Sequence, residues 1–315
     1  MLDLIIVAIV GIIVGGLVNV LADELPYRTF FRGAIEPPDD AADEERAEYA
    51  KFNAILEKRN KRGYMPAYPD GTLRPITAWL GLSAFALGLR EPQKAEPDEI
   101  RARPHREVSA LEWRHPLTEI MTAFFFVLAA NAAGSIDGMN TMQYVLNFVY
   151  MAIFALIIVV DVEHKLILFI VMIPSIALGL ADAVFVSPPN PVLGDALLGG
   201  AIGFGSFFSI YLMGFVFRWY MNNVRGRNIN TTVFGYGDVV MLTFTGVLVG
   251  GLHTIVAIVI TIMLGAVGAI LFLLAQRFLK GDGGMTSAIP YGPYIVMATI
   301  IMHLYGPQTY NLMFG

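Results

Sequence analysis

The sequence predicts an all-α polytopic membrane protein, with about eight transmembrane helices and a long cytoplasmic loop after the first. Three observations predict it. Hydrophobic residues make up 56 % of the chain and charged residues 15 %, and the mean hydropathy is +0.62, well beyond a typical soluble domain. Apolar stretches of spanning length recur along the chain. When those stretches are threaded as spans, all 21 Lys and Arg fall on one side of the membrane.

The first stretch, Leu2 to Ala22, lacks a basic leader and is long enough to cross a bilayer, so residues 1–22 read as a retained first helix. Residues 23–115 form the loop, which holds 15 of the 21 Lys and Arg. Its Pro- and acid-rich run, Glu36 to Glu48, is expected to stay solvated and disordered. Further on, Ile76 to Leu89 is apolar but too short to span, and is expected at the interface or against helix ends. Residues 116–315 are the membrane-embedded core. Its spans run roughly Pro116–Ser135, Met142–Val160, Leu166–Phe185, Ala196–Phe217, Val239–Val249, Thr254–Leu274 and Pro290–His303. The sixth span is short unless Phe234 to Asp238 already lies at membrane depth, and Gly250 and Gly251 mark the turn into the seventh. Lys165, Arg218, Arg225, Arg227, Arg277 and Lys280 share the side of the long loop. By the positive-inside rule that side is the cytoplasm, and both termini lie outside.

Composition also excludes function classes. The chain has no cysteine, so disulfides, thiolate metal sites and cysteine nucleophiles are absent. A net charge of -5 with no basic stripe gives no nucleic-acid footprint. No metal-ligand spacing occurs among the five histidines. His105 and His115 sit in the long loop, His253 and His303 fall near the outer face, and His164 alone stands beside a candidate acid.

Ionisable groups at membrane depth are costly, which makes them functional candidates. Asp3, Asp137, Asp182 and Asp195 fall near outer helix ends, whereas Glu119, Asp161, Glu163 and Asp238 fall near inner ends. Asp161 follows Ile157-Ile158-Val159-Val160, where the third span leaves the hydrocarbon. Asp238 follows Gly235-Tyr236-Gly237 and opens the sixth span, and those glycines are expected to permit positive φ and close approach of a peptide. Two neighbouring acids, one ionised and one protonated, supply the base and acid that aspartic proteolysis needs. Seen singly, Asp161 also reads as a snorkelling acid at a helix end and Asp238 as a helix cap. Gly11, Gly15 and Gly16 in span one, and Gly199, Gly200, Gly203 and Gly205 in span five, read as helix-packing positions. Asn19 reads as an interhelical hydrogen-bonding residue, with substrate positioning as the alternative.

Taken together, separate stretches resemble the type IV prepilin peptidase family in its order. Gly11 to Pro26 is similar to the family's first helix, matched at Gly15, Asn19, Val20, Leu25 and Pro26. Arg114-His115-Pro116-Leu117-Thr118-Glu119 resembles the lead-in to its second helix. Val160-Asp161-Val162-Glu163-His164, with Leu166-Ile167 and Ile173-Pro174, resembles its first catalytic segment, and Gly235-Tyr236-Gly237-Asp238 its second. Ile289-Pro290-Tyr291-Gly292-Pro293 is similar to a motif before its last helix.

The resemblance implies an aspartic endopeptidase of the prokaryotic inner membrane. It would remove the short basic leader from type IV prepilin or pseudopilin precursors at the cytoplasmic face, with Asp161 and Asp238 as the catalytic pair. Gly235, Gly237, Pro290, Gly292 and Glu119 are the candidates for positioning substrate. No cofactor is implied for proteolysis, and the partners are the precursors and the lipid bilayer rather than nucleic acid. Many members also N-methylate the new N-terminus with S-adenosylmethionine.

Four departures stand out. The two Cys-x-x-Cys pairs of many relatives are missing, and Val240, Leu168 and Glu24 stand where the family usually has Lys, Pro and Arg. Three other readings are a presenilin-type G-x-G-D peptidase, a secondary transporter using Asp161, Asp238 and Glu119 along an ion path, and a catalytically inactive pilus-assembly scaffold.

Overall fold

Long apolar runs cannot leave backbone amides bare in lipid, and helix is how a single segment satisfies them within itself. The computed structural model describes residues 2–30, 36–38, 42–69, 71–92, 110–133, 139–186, 191–224, 235–280 and 290–314. His105, Ser135, Asp137, Arg225, Arg227, Phe234, Ile289 and residues 39–41 lie outside the described residues. Among the described residues the chain is all-helical, with one isolated bridge between Ala67 and Leu73. Two compact units form, Met1–Leu128 and Ala129–Gly315.

In the first unit, α1 (Leu2–Phe30) runs eight residues past the expected end at Ala22. The extra turns carry charge that is matched locally. Glu24, buried, lies 3.4 Å from Arg28 one turn on, and Arg28 sits over the Tyr64 ring at 4.4 Å. A second helix, α2 (Asp43–Arg62), covers part of the run expected to be disordered, so Asp43 to Glu48 are helical. Its Ala, Glu, Lys and Arg residues favour helix, and pairs such as Glu57–Lys61 at 2.7 Å support it. A 3₁₀ turn (Ile76–Ala78) and α3 (Gly81–Ala86) occupy the short apolar stretch of the loop, and Tyr68, Ala78, Ala84 and Leu111 form a small core there. The start of α4 (Arg114–Ala133) belongs to this unit. Where α1 meets it the contact is backbone-close: a Cβ on Gly11 would overlap Ala123, and one on Gly15 would overlap Glu119.

The second unit contains α5 (Thr141–His164), α6 (Phe169–Phe185), α7 (Leu193–Asn223), α8 (Tyr236–Val249), α9 (Gly251–Lys280) and α10 (Gly292–Phe314). A capping box between Asn140 and Gln143 starts α5. α8 is buried along most of its length and packs most extensively on α7. A Cβ on Gly199 or Gly203 of α7 would collide with the Gly246 or Leu242 carbonyl, so these glycines are what let the two backbones touch. Gly205, grouped with them in sequence, has nothing within 4 Å. Gly250, at φ 81, ends α8, and the Asp195 carboxylate accepts from the Gly251 amide at 3.0 Å as α9 begins.

Among the described residues, five helices are long and apolar enough to cross a membrane: Asp3–Thr29, Arg114–Ala133, Thr141–His164, Leu193–Asn223 and Gly251–Leu274. Phe169–Phe185 and Tyr236–Val249 are apolar but shorter. α10 is broken at Tyr305, just ahead of Pro307.

Candidate active site

Asp161 lies at the C-terminal end of α5. The helix stops four residues later at Lys165, which takes a left-handed conformation (φ 54) and donates its amide to the Asp161 carbonyl at 2.8 Å. This sharp exit sends the chain into α6, leaving the Asp161 side chain buried (5 % exposed). Its Oδ2 accepts the Gly292 amide at 2.9 Å. A Cβ at residue 292 would sit 2.5 Å from that oxygen, so glycine is what allows the amide to come so close.

Asp238 occupies the first turn of α8, partly buried, with its amide donated to the Gly235 carbonyl at 3.2 Å. Asp161 is near enough to act on its charge. The same Asp238 charge is felt at Tyr291, next to the residue that bonds Asp161. α5, α8 and the segment 290–292 thus converge on the two carboxylates. Nearby, Tyr236 stacks on Phe169 at 6.0 Å between centroids and meets Tyr211 edge-on at 5.7 Å. Among the described residues no group of three or more potential metal ligands is assembled.

The glycines flanking Asp238 work differently from the expectation. Gly235 has φ -81 and ψ 144, an extended conformation open to any residue, and Gly237 does not have positive φ. Gly237 instead meets its own chain, since a Cβ there would lie 2.7 Å from that of Ile167. Pro290 is partly buried just before α10. His164 stays close to Glu163, 3.9 Å apart. The cation expected two residues after Asp238 is Val240, but Lys165 acts electrostatically on Asp161 from the other segment. Leu168, where relatives carry proline, is buried and caps α6, its carbonyl accepting from Val171 and Met172.

Glu119 has partners of its own in the amino-terminal unit. Fully buried, it accepts the Gly81 amide at 2.5 Å, the Leu82 amide at 2.8 Å and Asn19 Nδ2 at 3.3 Å. Asn19 also donates to the His115 carbonyl at 2.9 Å, which bears out its interhelical reading. Beside them Asp23 pairs with Arg114 and lies 3.4 Å from His115 and 4.0 Å from Arg74. Burial pushes the Arg74 guanidinium below its usual pKa, and the Asp23 charge pulls it back up.

A second polar group occupies the opposite end of α5. Tyr150 donates to buried Asp182 at 2.9 Å, and His303 lies 2.9 Å from Asn147 beside a cavity of about 240 Å³ also lined by Asp195 and His253. Asn147 and Asp161 stand about 21 Å apart at the rise of an α-helix. Sequence reasoning placed Asp182 and Asp195 near outer helix ends but assigned no role to Tyr150, because a tyrosine amid apolar residues carries no positional signal, and met Tyr291 only as part of the motif before the last helix.

Residues 148–270 match the type IV leader peptidase family. That range includes Asp161, Gly235, Gly237 and Asp238. A prepilin leader peptidase/N-methyltransferase of Stutzerimonas stutzeri is 31 % identical over 153 residues, which is 47 % of this chain and 45 % of that protein. One of Pseudomonas aeruginosa is 26 % identical over 306 residues, covering 95 % of this chain and 89 % of that protein. One of Aeromonas hydrophila is 24 % identical over 310 residues, with 94 % and 88 % covered. No solved structure matches the chain.

Proposed function

We propose that this chain, whose residues 148–270 match the type IV leader peptidase family, is an aspartic endopeptidase whose working pair is Asp161 and Asp238. One observation carries the reading: a buried carboxylate held by the Gly292 amide has a second carboxylate within electrostatic reach, contributed by a different helix. Two acids this close hold one proton between them more readily than two negative charges. The ionised partner takes a proton from water, and the resulting hydroxide equivalent adds to the scissile carbonyl carbon. The protonated partner donates to the carbonyl oxygen, and the tetrahedral intermediate then collapses with a proton passed to the leaving amine. The pair has its charges in the right place at the start, and no metal is needed in these steps.

The substrates would be type IV prepilin or pseudopilin precursors, cut between a short basic leader and an apolar helix. The eight apolar helices are read as eight passes of the prokaryotic inner membrane. Among the described residues five meet the length and composition for spanning, α6 and α8 are apolar but shorter, and α10 is not among the five. The distribution of Lys and Arg supports placing the aspartates at the cytoplasmic face. Opposing the transporter reading, the buried acid of α6, Asp182, accepts a hydrogen bond from Tyr150 of α5.

N-methylation is a second activity, favoured by one feature of the amino-terminal unit. The buried guanidinium of Arg74 has no hydrogen-bond acceptor among the described residues. That donor set fits the carboxylate of S-adenosylmethionine, which when bound supplies the methyl group.

Co-expression with a candidate prepilin tests both activities. Leader removal is expected with the wild type and is expected to be lost in Asp161→Asn and in Asp238→Asn; unchanged processing in both variants would overturn the mechanism. The mass of the mature N-terminus shows methylation as one added methyl group, and a mature product without it removes that activity.

A further inference from the structure

We propose that the Tyr291 ring, seated in a glycine notch of α9, is the positioning residue that holds the Gly292 amide on Asp161. The proposal rests on reading Asp161 as a reacting group. At a helix N-terminus the first amides have no partner within the helix. In α10 the Tyr291 carbonyl accepts from Tyr294 at 3.1 Å and from Ile295 at 3.4 Å, which anchors the first turn to residue 291. The Gly292 amide is left over, and it goes to Asp161. Where residue 291 is held therefore decides where that amide points.

Residue 291 is held by its ring. Tyr291 packs against Phe207 of α7 at 6.3 Å between centroids and against Tyr294 at 6.0 Å. On its other side is Gly265 of α9, where a Cβ would lie 2.7 Å from Cε2 and 3.3 Å from Cζ and Oη. One turn further, Gly268 makes the same room for Tyr294. Both glycines lie within a helix and neither has positive φ. Glycine is a poor helix residue, so backbone freedom does not account for them. The two rings do. The tightest approach to the notch is made by the ring edge at Cε2, so phenylalanine, which keeps that edge, should hold residue 291 in place.

The ring thereby ties α7 and α9 to the site. A displacement of about 1 Å at a group that orients a reacting centre costs on the order of a hundredfold in rate without a matching loss of substrate binding. This is what distinguishes a positioning role from one in substrate recognition.

The experiment uses the full chain in detergent and has two arms. In the first, hydrogen exchange of the peptide containing Gly292 is followed in wild type, Tyr291→Phe, Tyr291→Leu, Tyr291→Ala and Gly265→Val, with melting temperatures confirming that each variant is folded. Protection is expected in wild type and Tyr291→Phe, with exchange at least about tenfold faster in Tyr291→Ala and Gly265→Val. Tyr291→Leu, which fills volume without a planar ring, is expected between them and serves if Gly265→Val fails to fold. In the second arm, cleavage of a purified prepilin is expected to show kcat reduced by roughly 10–100-fold in Tyr291→Ala and in Gly265→Val, KM within about threefold of wild type, and the double variant no worse than either single one. Unchanged exchange at Gly292 in Tyr291→Ala overturns the proposal, as does a Tyr291→Phe variant as impaired as Tyr291→Ala. A wild type that leaves prepilin uncut defeats the peptidase reading instead, and the exchange arm still decides the role of Tyr291.

Discussion

Asp161 and Glu119 are both buried carboxylates near a helix end, and they differ in what surrounds them. Glu119 is heavily bonded: two amides opening α3 and the Asn19 side chain all donate to it. It acts as a cap for one helix supplied by another. Among the described residues Asp161 has a single amide donor, and it is near enough to a second carboxylate, Asp238, to act on its charge. Burial and position along a helix do not separate a structural acid from a reactive one. The donor inventory does, because a carboxylate that already receives three donors has little acceptor capacity left for a proton from water, whereas an under-bonded pair keeps more of it.

Substitutions at the two acids should therefore fail in different ways. The largest effect is expected for Asp161→Asn and Asp238→Asn, each lowering the rate of leader removal by at least about a thousandfold with the protein still folded, as read by a timed cleavage assay beside a melting curve. Next comes Gly292→Ala, whose added carbon meets Asp161 Oδ2; a loss of roughly 10–100-fold in kcat is expected in the same assay. Glu119→Gln should invert the pattern. It replaces an acceptor oxygen facing an amide with a donor, so denaturation should show a loss of about 1–3 kcal/mol in stability while the protein that remains folded cuts normally. A Glu119→Gln variant that keeps its stability and loses cleavage would erase the contrast. The smallest effect is expected for Lys165→Met: the side chain is exposed, so its attraction to Asp161 is screened and the rate should change by less than about threefold.

Both aspartates were visible in the sequence because an acid at the end of an unbroken Ile and Val run, or at the start of one, has few reasons to be there. The helices were visible for the same reason. Their ends were less so. α1 continues through Asp23 and Glu24 because Arg114, His115 and Arg28 meet those charges, and partners about 90 residues away cannot be read from local composition. The acids Asp43 to Glu48 looked like a solvated run, yet they begin a helix, α2, that later carries the Glu57–Lys61 pair. At the site, the positive φ expected at Gly235 and Gly237 is not found. Gly237 is needed for contact with Ile167 and Gly292 for contact with Asp161, and neither for an unusual backbone angle. Glu119 was grouped with the acids of one membrane face, and the amides of α3 that claim it come from a stretch that reads only as short and apolar.

The central claim is that Asp161 and Asp238 act as one unit, and the double variant measures it most directly. Cleavage rates of Asp161→Asn, Asp238→Asn and the combined variant, taken on one prepilin under one set of conditions, should be equally low, because a pair that shares a proton loses its whole contribution with either member. Rates that multiply, with the double variant far below either single one, or a single variant that cuts at the wild-type rate, would contradict it.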